Sequence, residues 1–279
     1  DTVSCEASGF GAIQDCMVAL TRNYRFLEDS PLGHFRRAVF DGNIEDALSV
    51  LNSSAKNLNW IMMPDNRALK GFLENKLGQH LRSYVNSIQQ YTGNMKDLIS
   101  LYEEFRVLCA VRGGLCGTVH LNRLVEKYIK NTLGIHPDHP VFPGKAVMVT
   151  QNDYGQQLFN GDIGLFLPET TASERLSVFF REAAGGIRKI SPYALPEHET
   201  AFALTVHKSQ GSEYDRVFLF LPEADSPILC RELLYTGITR ARKHLTICGS
   251  KEMLIAAISR KIVRHSGLTE KILDTSMSK

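Results

Sequence analysis

Long apolar runs are missing from this chain. No stretch approaches the ~18 residues that a membrane-crossing helix needs, and no basic leader precedes an apolar segment, so no membrane association is expected. The six cysteines, at positions 5, 16, 109, 116, 230 and 248, contain no Cys-x-x-Cys pair. That spacing excludes a zinc ribbon or a dithiol redox motif, and scattered thiols of this kind imply a reduced, cytoplasmic setting. Charge of one sign is also lacking. The net charge of +2 neither demands nor excludes nucleic acid, because a local basic groove can sit inside a near-neutral total. A phosphate-binding loop, Gly-x-x-x-x-Gly-Lys-Ser/Thr, is absent as well. The one Gly-Lys pair, Gly144-Lys145, is followed by Ala146 and has His139 where the first glycine should stand. His136 and His139 lie among prolines with no matching ligand pair, so no metal site is expected. Asp1 in place of an initiator methionine suggests a fragment or a processed product.

What is present reads as an α/β protein. At 279 residues, 43% hydrophobic and 22% charged, the chain has enough apolar material for one large or two modest domains. Residues 32–51 predict two short helices parted at Asp41-Gly42-Asn43. Residues 67–92 and 94–110 each predict a helix, the first with Leu69, Phe72, Leu73, Leu77, Leu81 and Val85 on one stripe. A further helix is expected over 119–132, and His136-Pro137-Asp138-His139-Pro140 ends helical character. Residues 145–195 change texture to short strand-like runs at 145–150, 164–168, 176–181 and 187–190, which look like a small inserted β-barrel. From Thr200 the α/β pattern returns. A buried strand is predicted over 201–206, a turn at 209–213, a strand at 217–221, a helix over 229–242, a strand at 245–248 and a closing helix over 251–262. Such alternation favours a mostly parallel sheet with helices on both faces.

Three segments carry charged groups at element ends: Asn23-Tyr24-Arg25, then Thr205-Val206-His207-Lys208-Ser209-Gln210-Gly211-Ser212-Glu213, then Tyr235-Thr236-Gly237-Ile238-Thr239-Arg240-Ala241-Arg242. Ligands of open α/β sheets gather outside the carboxyl ends of the strands, and that is where these segments are expected. Singly, each reads as a surface arginine, a strand-to-helix loop and a solvated basic face. As an ordered set they resemble the last motifs of superfamily 1 helicases. The stretch from Phe105 to Gly114, the pairing of Gln151-Asn152-Asp153-Tyr154 with Leu158-Phe159-Asn160-Gly161-Asp162-Ile163-Gly164, and Val3-Ser4-Cys5-Glu6-Ala7-Ser8-Gly9 are similar in particular to the RecD family, the alpha subunits of exodeoxyribonuclease V.

That resemblance implies a second, RecA-like motor domain over 1–144 and 199–279, with an SH3-like barrel inserted at 145–198. It implies ATP with Mg2+ as the cofactor of the intact protein, bound chiefly by a first motor domain that holds the phosphate-binding loop. Arg25 and Arg240 would reach the γ-phosphate, a task suited to an always-charged, bidentate donor. Glu213, after the Gly211 turn, would hold the ribose hydroxyls. Arg242 would either join the nucleotide or pair with a carboxylate of its own domain. Thr205 and His207 would contact single-stranded DNA. Lys208 either adds charge to that loop or faces solvent. Asn160 would sit where the barrel lines the DNA path, although Asn-Gly is equally a plain turn signal. The implied activity is 5′-to-3′ DNA unwinding beside the RecB and RecC subunits. A stand-alone RecD-like or relaxase helicase remains an alternative, as does a non-catalytic nucleic-acid-binding module. Without its hydrolytic half the fragment is expected not to turn over ATP.

Overall fold

The computed structural model describes residues 29–262 apart from 54, 63–68, 70, 92, 171–172, 174 and 183–184. The expected motif at Arg25 and the segment at 3–9 lie outside the described residues. Two sheets organise the rest. The first is wholly parallel, in the order β1 (Leu58–Ile61), β10 (Ala241–Cys248), β9 (Tyr214–Phe220), β2 (Phe105–Cys109), β8 (Ala203–Thr205). The second is antiparallel, in the order β6 (Ile187–Ile190), β5 (Leu176–Arg181), β4 (Ile163–Pro168), β3 (Ala146–Val149), β7 (His198–Thr200).

Helices α1 (Pro31–Asp41) and α2 (Ile44–Asn52) form the expected pair. Ser30 caps α1 by accepting the Gly33 N–H, and Asn43 caps α2 by accepting the Asp46 N–H. Between them Gly42 takes φ +76°, the left-handed turn that ends a helix and that a side chain resists. Helix α3 (Gly78–Gln89) follows a π-helical turn at Leu73–Leu77, α4 is Met95–Glu104 and α5 is Thr118–Leu133. Of the apolar stripe read from the sequence, Leu69, Phe72, Leu77, Leu81 and Val85 are buried. Helices α6 (Arg231–Ile238) and α7 (Lys251–Ser259) complete the fold.

Three readings of local structure need correction. The helix expected over 94–110 stops at Glu104, and Phe105–Cys109 is the strand that joins β9 to β8. All five of its residues are buried. A short strand covered on both faces lacks the alternation of a half-buried one, so periodicity cannot separate it from a buried helix. The helix expected over 229–242 likewise ends at Ile238, and Ala241 already opens β10. There the Tyr214 N–H binds the Arg240 carbonyl, drawing the chain into the ladder. Finally, the strand expected over 201–206 is the shorter β8, Ala203–Thr205, because Ala201 and Phe202 carry the chain across from β7 of the other sheet.

The second sheet is buried on both faces by different partners. Val147, Val149, Phe166, Val178 and Phe180 form a small core of their own with Leu158 and Ile190. The alternate residues Ala146, Met148, Leu165, Leu167 and Phe179 belong to the main core. The period-2 geometry of strands makes that division. Gly164 sits where a Cβ would lie 2.7 Å from Phe180 and Val178, so only glycine lets β4 approach β5 this closely. Polar ties fix the two sheets together. Arg181 bridges to Glu103 on α4 at 2.9 Å, Tyr84 donates to the Gly144 carbonyl at 2.7 Å, and the Asn122 side chain bonds Thr200 and Ala203.

On the face of the parallel sheet under α3, His80 packs against Phe105 and Phe218, with ring centroids 5.4 and 5.7 Å away. Burial, with Arg216 and His244 nearby, pulls its pKa down from 6.5 to about 4. The unfolded chain therefore binds more protons than the folded one between these values. The contribution of His80 to stability should be flat above pH 6.5 and fall as the pH drops from 6.5 to 4. Urea unfolding of wild type and His80→Phe across that window checks this: the variant should show a shallower fall, and parallel curves would count against it.

Candidate nucleotide and nucleic-acid faces

The residues expected to act together separate into two groups at opposite ends of the parallel sheet. Thr205 closes β8, and Cys109 lies beside it in register, as does Phe220 of β9 across β2. Thr205, His207 and Lys208 thus sit at the carboxyl edge. Gly211 and Glu213 precede β9, and Arg240 precedes β10, while Arg242 is the second residue of that strand. These four lie at the amino edge, about 20 Å away along a seven-residue strand. The expectation that every site residue lies at carboxyl ends is therefore corrected for Gly211, Glu213, Arg240 and Arg242. The reason is topological. In a parallel sheet, the chain must return along the whole strand length before the next strand begins, so the loop 206–213 begins at one edge and ends at the other.

At the amino edge Arg240 is held by neutral oxygens alone. Its Nε donates to the Thr236 carbonyl at 3.1 Å, Nη1 to the Ser212 carbonyl at 3.0 Å and Nη2 to Thr239 Oγ1 at 3.2 Å. A guanidinium has five N–H donors, so two remain for a ligand. Its charge meets no carboxylate among the described residues. Arg242 differs: its Nε lies 3.5 Å from Glu213 and its Nη1 4.0 Å from Asp215. Of the two roles open to it from the sequence, the described geometry has the pairing within its own domain. Asp215 also binds Lys243 at 2.6 Å. Beneath them the buried Arg36 of α1 donates to the Ala241 carbonyl at 2.5 Å. Burial lowers its pKa to about 10 against the opposing pull of Tyr235 and Glu213.

A groove of about 960 Å³ opens beside Gly211–Asp215, walled by α4 and by the ends of β4 and β5. Carboxylates outnumber guanidiniums in its lining: Glu103, Glu104, Asp162, Glu182, Glu213 and Asp215 are among its residues, with Arg106, Arg181 and Arg242. That balance repels phosphate. Arg106 is buried in its floor, sandwiched by Tyr102 and Tyr214 at 3.9 and 4.8 Å and bonded to the Ala201 carbonyl. The cation is stabilised there by ring faces.

At the carboxyl edge, Thr205 Oγ1 accepts the Lys208 N–H at 3.4 Å, and His207 is exposed. Lys208 does not simply face solvent. Its Nζ binds Glu199 Oε1 at 2.9 Å, while Arg112 reaches Glu199 Oε2 at 3.2 Å. One carboxylate on β7 thus holds two cations next to the Thr205–His207 turn. Sequence reasoning missed Glu199 and Arg112. Arg112 stood inside a quoted segment, but nothing in spacing linked it to a residue 87 positions away. The thiols Cys109, Cys116 and Cys248 cluster near this edge, and burial pushes all three up, Cys116 to about 11, so they are poor nucleophiles. Asn160 is exposed on the 150–162 loop of the second sheet, with its N–H on Asn152 Oδ1 at 2.8 Å.

Comparison with known proteins gives these two edges a context. Residues 200–248 match the model of the UvrD-like helicase C-terminal domain. Over 269 residues the chain is 33% identical to the RecBCD enzyme subunit RecD of Mycobacterium tuberculosis, covering 96% of this chain and 45% of that one. This chain is a homologue of RecD. The RecD subunit of Haemophilus influenzae is 31% identical over 278 residues, 94% of this chain and 42% of that protein. The ATP-dependent RecD2 DNA helicase of Deinococcus radiodurans is 36% identical over 170 residues, 60% of this chain and 23% of its own length. The chain thus spans less than half the length of these curated relatives. Among solved structures, a Bacteroides Pif1 helicase in complex with ADP-AlF3 and single-stranded DNA aligns at 17% identity over 71% of this chain and 54% of its own, with a TM-score of 0.37. No helix among the described residues of this RecD homologue is long and apolar enough to cross a membrane.

Freeing the two cations from Glu199 should strengthen contact with phosphates. Glu199→Gln is expected to raise affinity for a single-stranded oligonucleotide several-fold at low salt and to steepen its salt dependence, since released cations each add to counterion release. A titration by fluorescence anisotropy at several salt concentrations checks this, and unchanged affinity would show that Lys208 and Arg112 do not meet DNA.

Proposed function

We propose that this chain is the nucleotide-sensing and strand-gripping part of an ATP-dependent 5′-to-3′ DNA helicase, working in the cytoplasm as the RecD subunit of a RecBCD-type complex. The observation that carries the reading is Arg240. Among the described residues this guanidinium is held by three neutral oxygens and meets no carboxylate, and two of its five donors are left to bind an anion. Its donor set fits the γ-phosphate of a nucleoside triphosphate, because planar, charged donors stabilise charge spread over phosphoryl oxygens. ATP and Mg2+ would supply the chemistry, and the phosphate-binding loop would come from a separate motor domain. Arg25 is the second arginine in this reading. Glu213 and Gly211 border the same edge and are the candidates for the ribose side, with Arg242 steadying Glu213 rather than touching phosphate.

On the other edge Thr205, His207 and Lys208 are the proposed contacts to single-stranded DNA, through hydroxyl, imidazole and ammonium groups that suit phosphate and sugar oxygens. We take residues 145–198 as an inserted barrel-type unit beside that path, with Asn160 at its rim. A subunit beside RecB and RecC is preferred to a stand-alone helicase because likeness to RecD subunits covers 96% of the chain, against 60% for the RecD2 helicase.

In the intact protein, Arg240→Ala should leave DNA binding largely unchanged. ATP hydrolysis should fall by about 10³-fold or more and unwinding should cease. Stopped-flow phosphate release and a forked-duplex unwinding assay measure both. Survival of ATPase and unwinding would sink the arginine assignment.

A further inference from the structure

We infer that Tyr154 and Phe159 form a platform on which unpaired bases of a bound single strand stack. This rests on the reading that the Thr205–Lys208 turn grips that strand. The two rings meet edge to face, 6.1 Å apart, at the tip of the loop between β3 and β4. They are 77% and 46% exposed, on a loop that is otherwise tightly bonded. Asp153 and Leu158 exchange both backbone bonds at 2.7 and 2.9 Å. The Asp153 carboxylate accepts the Gln156 N–H at 3.0 Å and that of Asp162 the Phe159 N–H at 2.8 Å. Arg188 reaches under the loop to the carbonyls of Gln156 and Gln157, each at 2.9 Å. Gln157 takes φ +53°, the one positive φ outside glycine among the described residues.

A loop so constrained cannot collapse to hide its rings, so they stand presented in advance and lose little entropy on binding. The chemistry on offer is narrow. Residues 150–162 include no lysine or arginine, and the two aspartates are spent on bracing, so phosphate is not what this surface attracts. Aromatic faces flanked by Asn152 and Asn160 suit the flat π-surface of a base, and stacking of this kind tolerates any sequence.

Position supports the same occupant. The base of the loop is locked to β3 by bonds between Val149 and both Gly161 and Asp162. Val149 pairs with His198, and the next residue along β7 is Glu199, which holds Lys208 and Arg112. The base of the loop is therefore tied through two adjacent strands to the carboxylate that holds Lys208 and Arg112.

The test uses the intact protein and two labelled 15-mers, one of ordinary bases and one with abasic sugars at its central positions. Tyr154→Ala with Phe159→Ala should cost about tenfold or more in affinity for the first oligonucleotide. On the abasic one it should cost little, and the salt slope should stay unchanged because no phosphate contact is lost. Tyr154→Phe should bind as wild type, which separates loss of the ring from loss of the hydroxyl. Wild-type affinity of the double variant for both oligonucleotides would overturn the proposal and leave the rings to a protein partner. An equal loss on both would overturn it too, as a general disturbance of the loop. Thr205→Ala with His207→Ala, by contrast, should weaken both oligonucleotides. If that variant is silent, the strand-gripping reading fails separately, whatever the rings do.

Discussion

Strand β9 is the constraint on which the rest depends. It is bonded in parallel to β2 on one side and β10 on the other, and Val217 to Phe220 are entirely buried. With Arg216 to Phe220 paired on both sides, β9 cannot shift in register without turning a whole set of side chains onto the wrong face. Its amino end fixes Glu213 and Asp215, and its first N–H, at Tyr214, binds the Arg240 carbonyl. Arg240 in turn donates back to Ser212. The arginine is thus located by the ladder rather than by a loop, which is how a site gains precision.

Both proposed binding edges belong to one continuous piece of chain. Residues 206–213 leave Thr205 at the carboxyl edge and deliver Glu213 to the amino edge. Within it Ser209 is buried and its hydroxyl binds the Val206 carbonyl. In the proposed motor such a connection would run between the nucleotide-sensing edge and the strand-holding edge. Here the connection is eight residues long and lies against the sheet.

Charge is distributed so as to keep the two edges distinct. The groove next to Glu213 is lined by more carboxylates than guanidiniums, which disfavours phosphate there. On the opposite edge Glu199 occupies Lys208 and Arg112 as a phosphate would. Half-exposed pairs of this sort are worth little to stability, so they can be exchanged for a ligand at small cost.

Much of this was legible from the amino-acid order. The helix pair around Gly42, the strands at 176–181 and 187–190, and the α/β alternation after Thr200 follow from local propensity, turn residues and period. The motif at 205–213 and the one ending at Arg240 were also visible, because they are contiguous. What the order of residues could not supply was decided by packing. Phe105–Cys109 is a strand because β9 and β8 pair with its two edges, and no local pattern records those partners. Arg240 lies in a turn rather than a helix because a partner 26 positions earlier draws its carbonyl into the ladder. Glu199 meets Lys208 and Arg112 because two sheets abut. The separation of the site into two edges follows only from strand direction. Short-range chemistry is written in sequence, whereas which end of a strand a residue occupies, and which charge stands opposite it, is settled when the sheets come together.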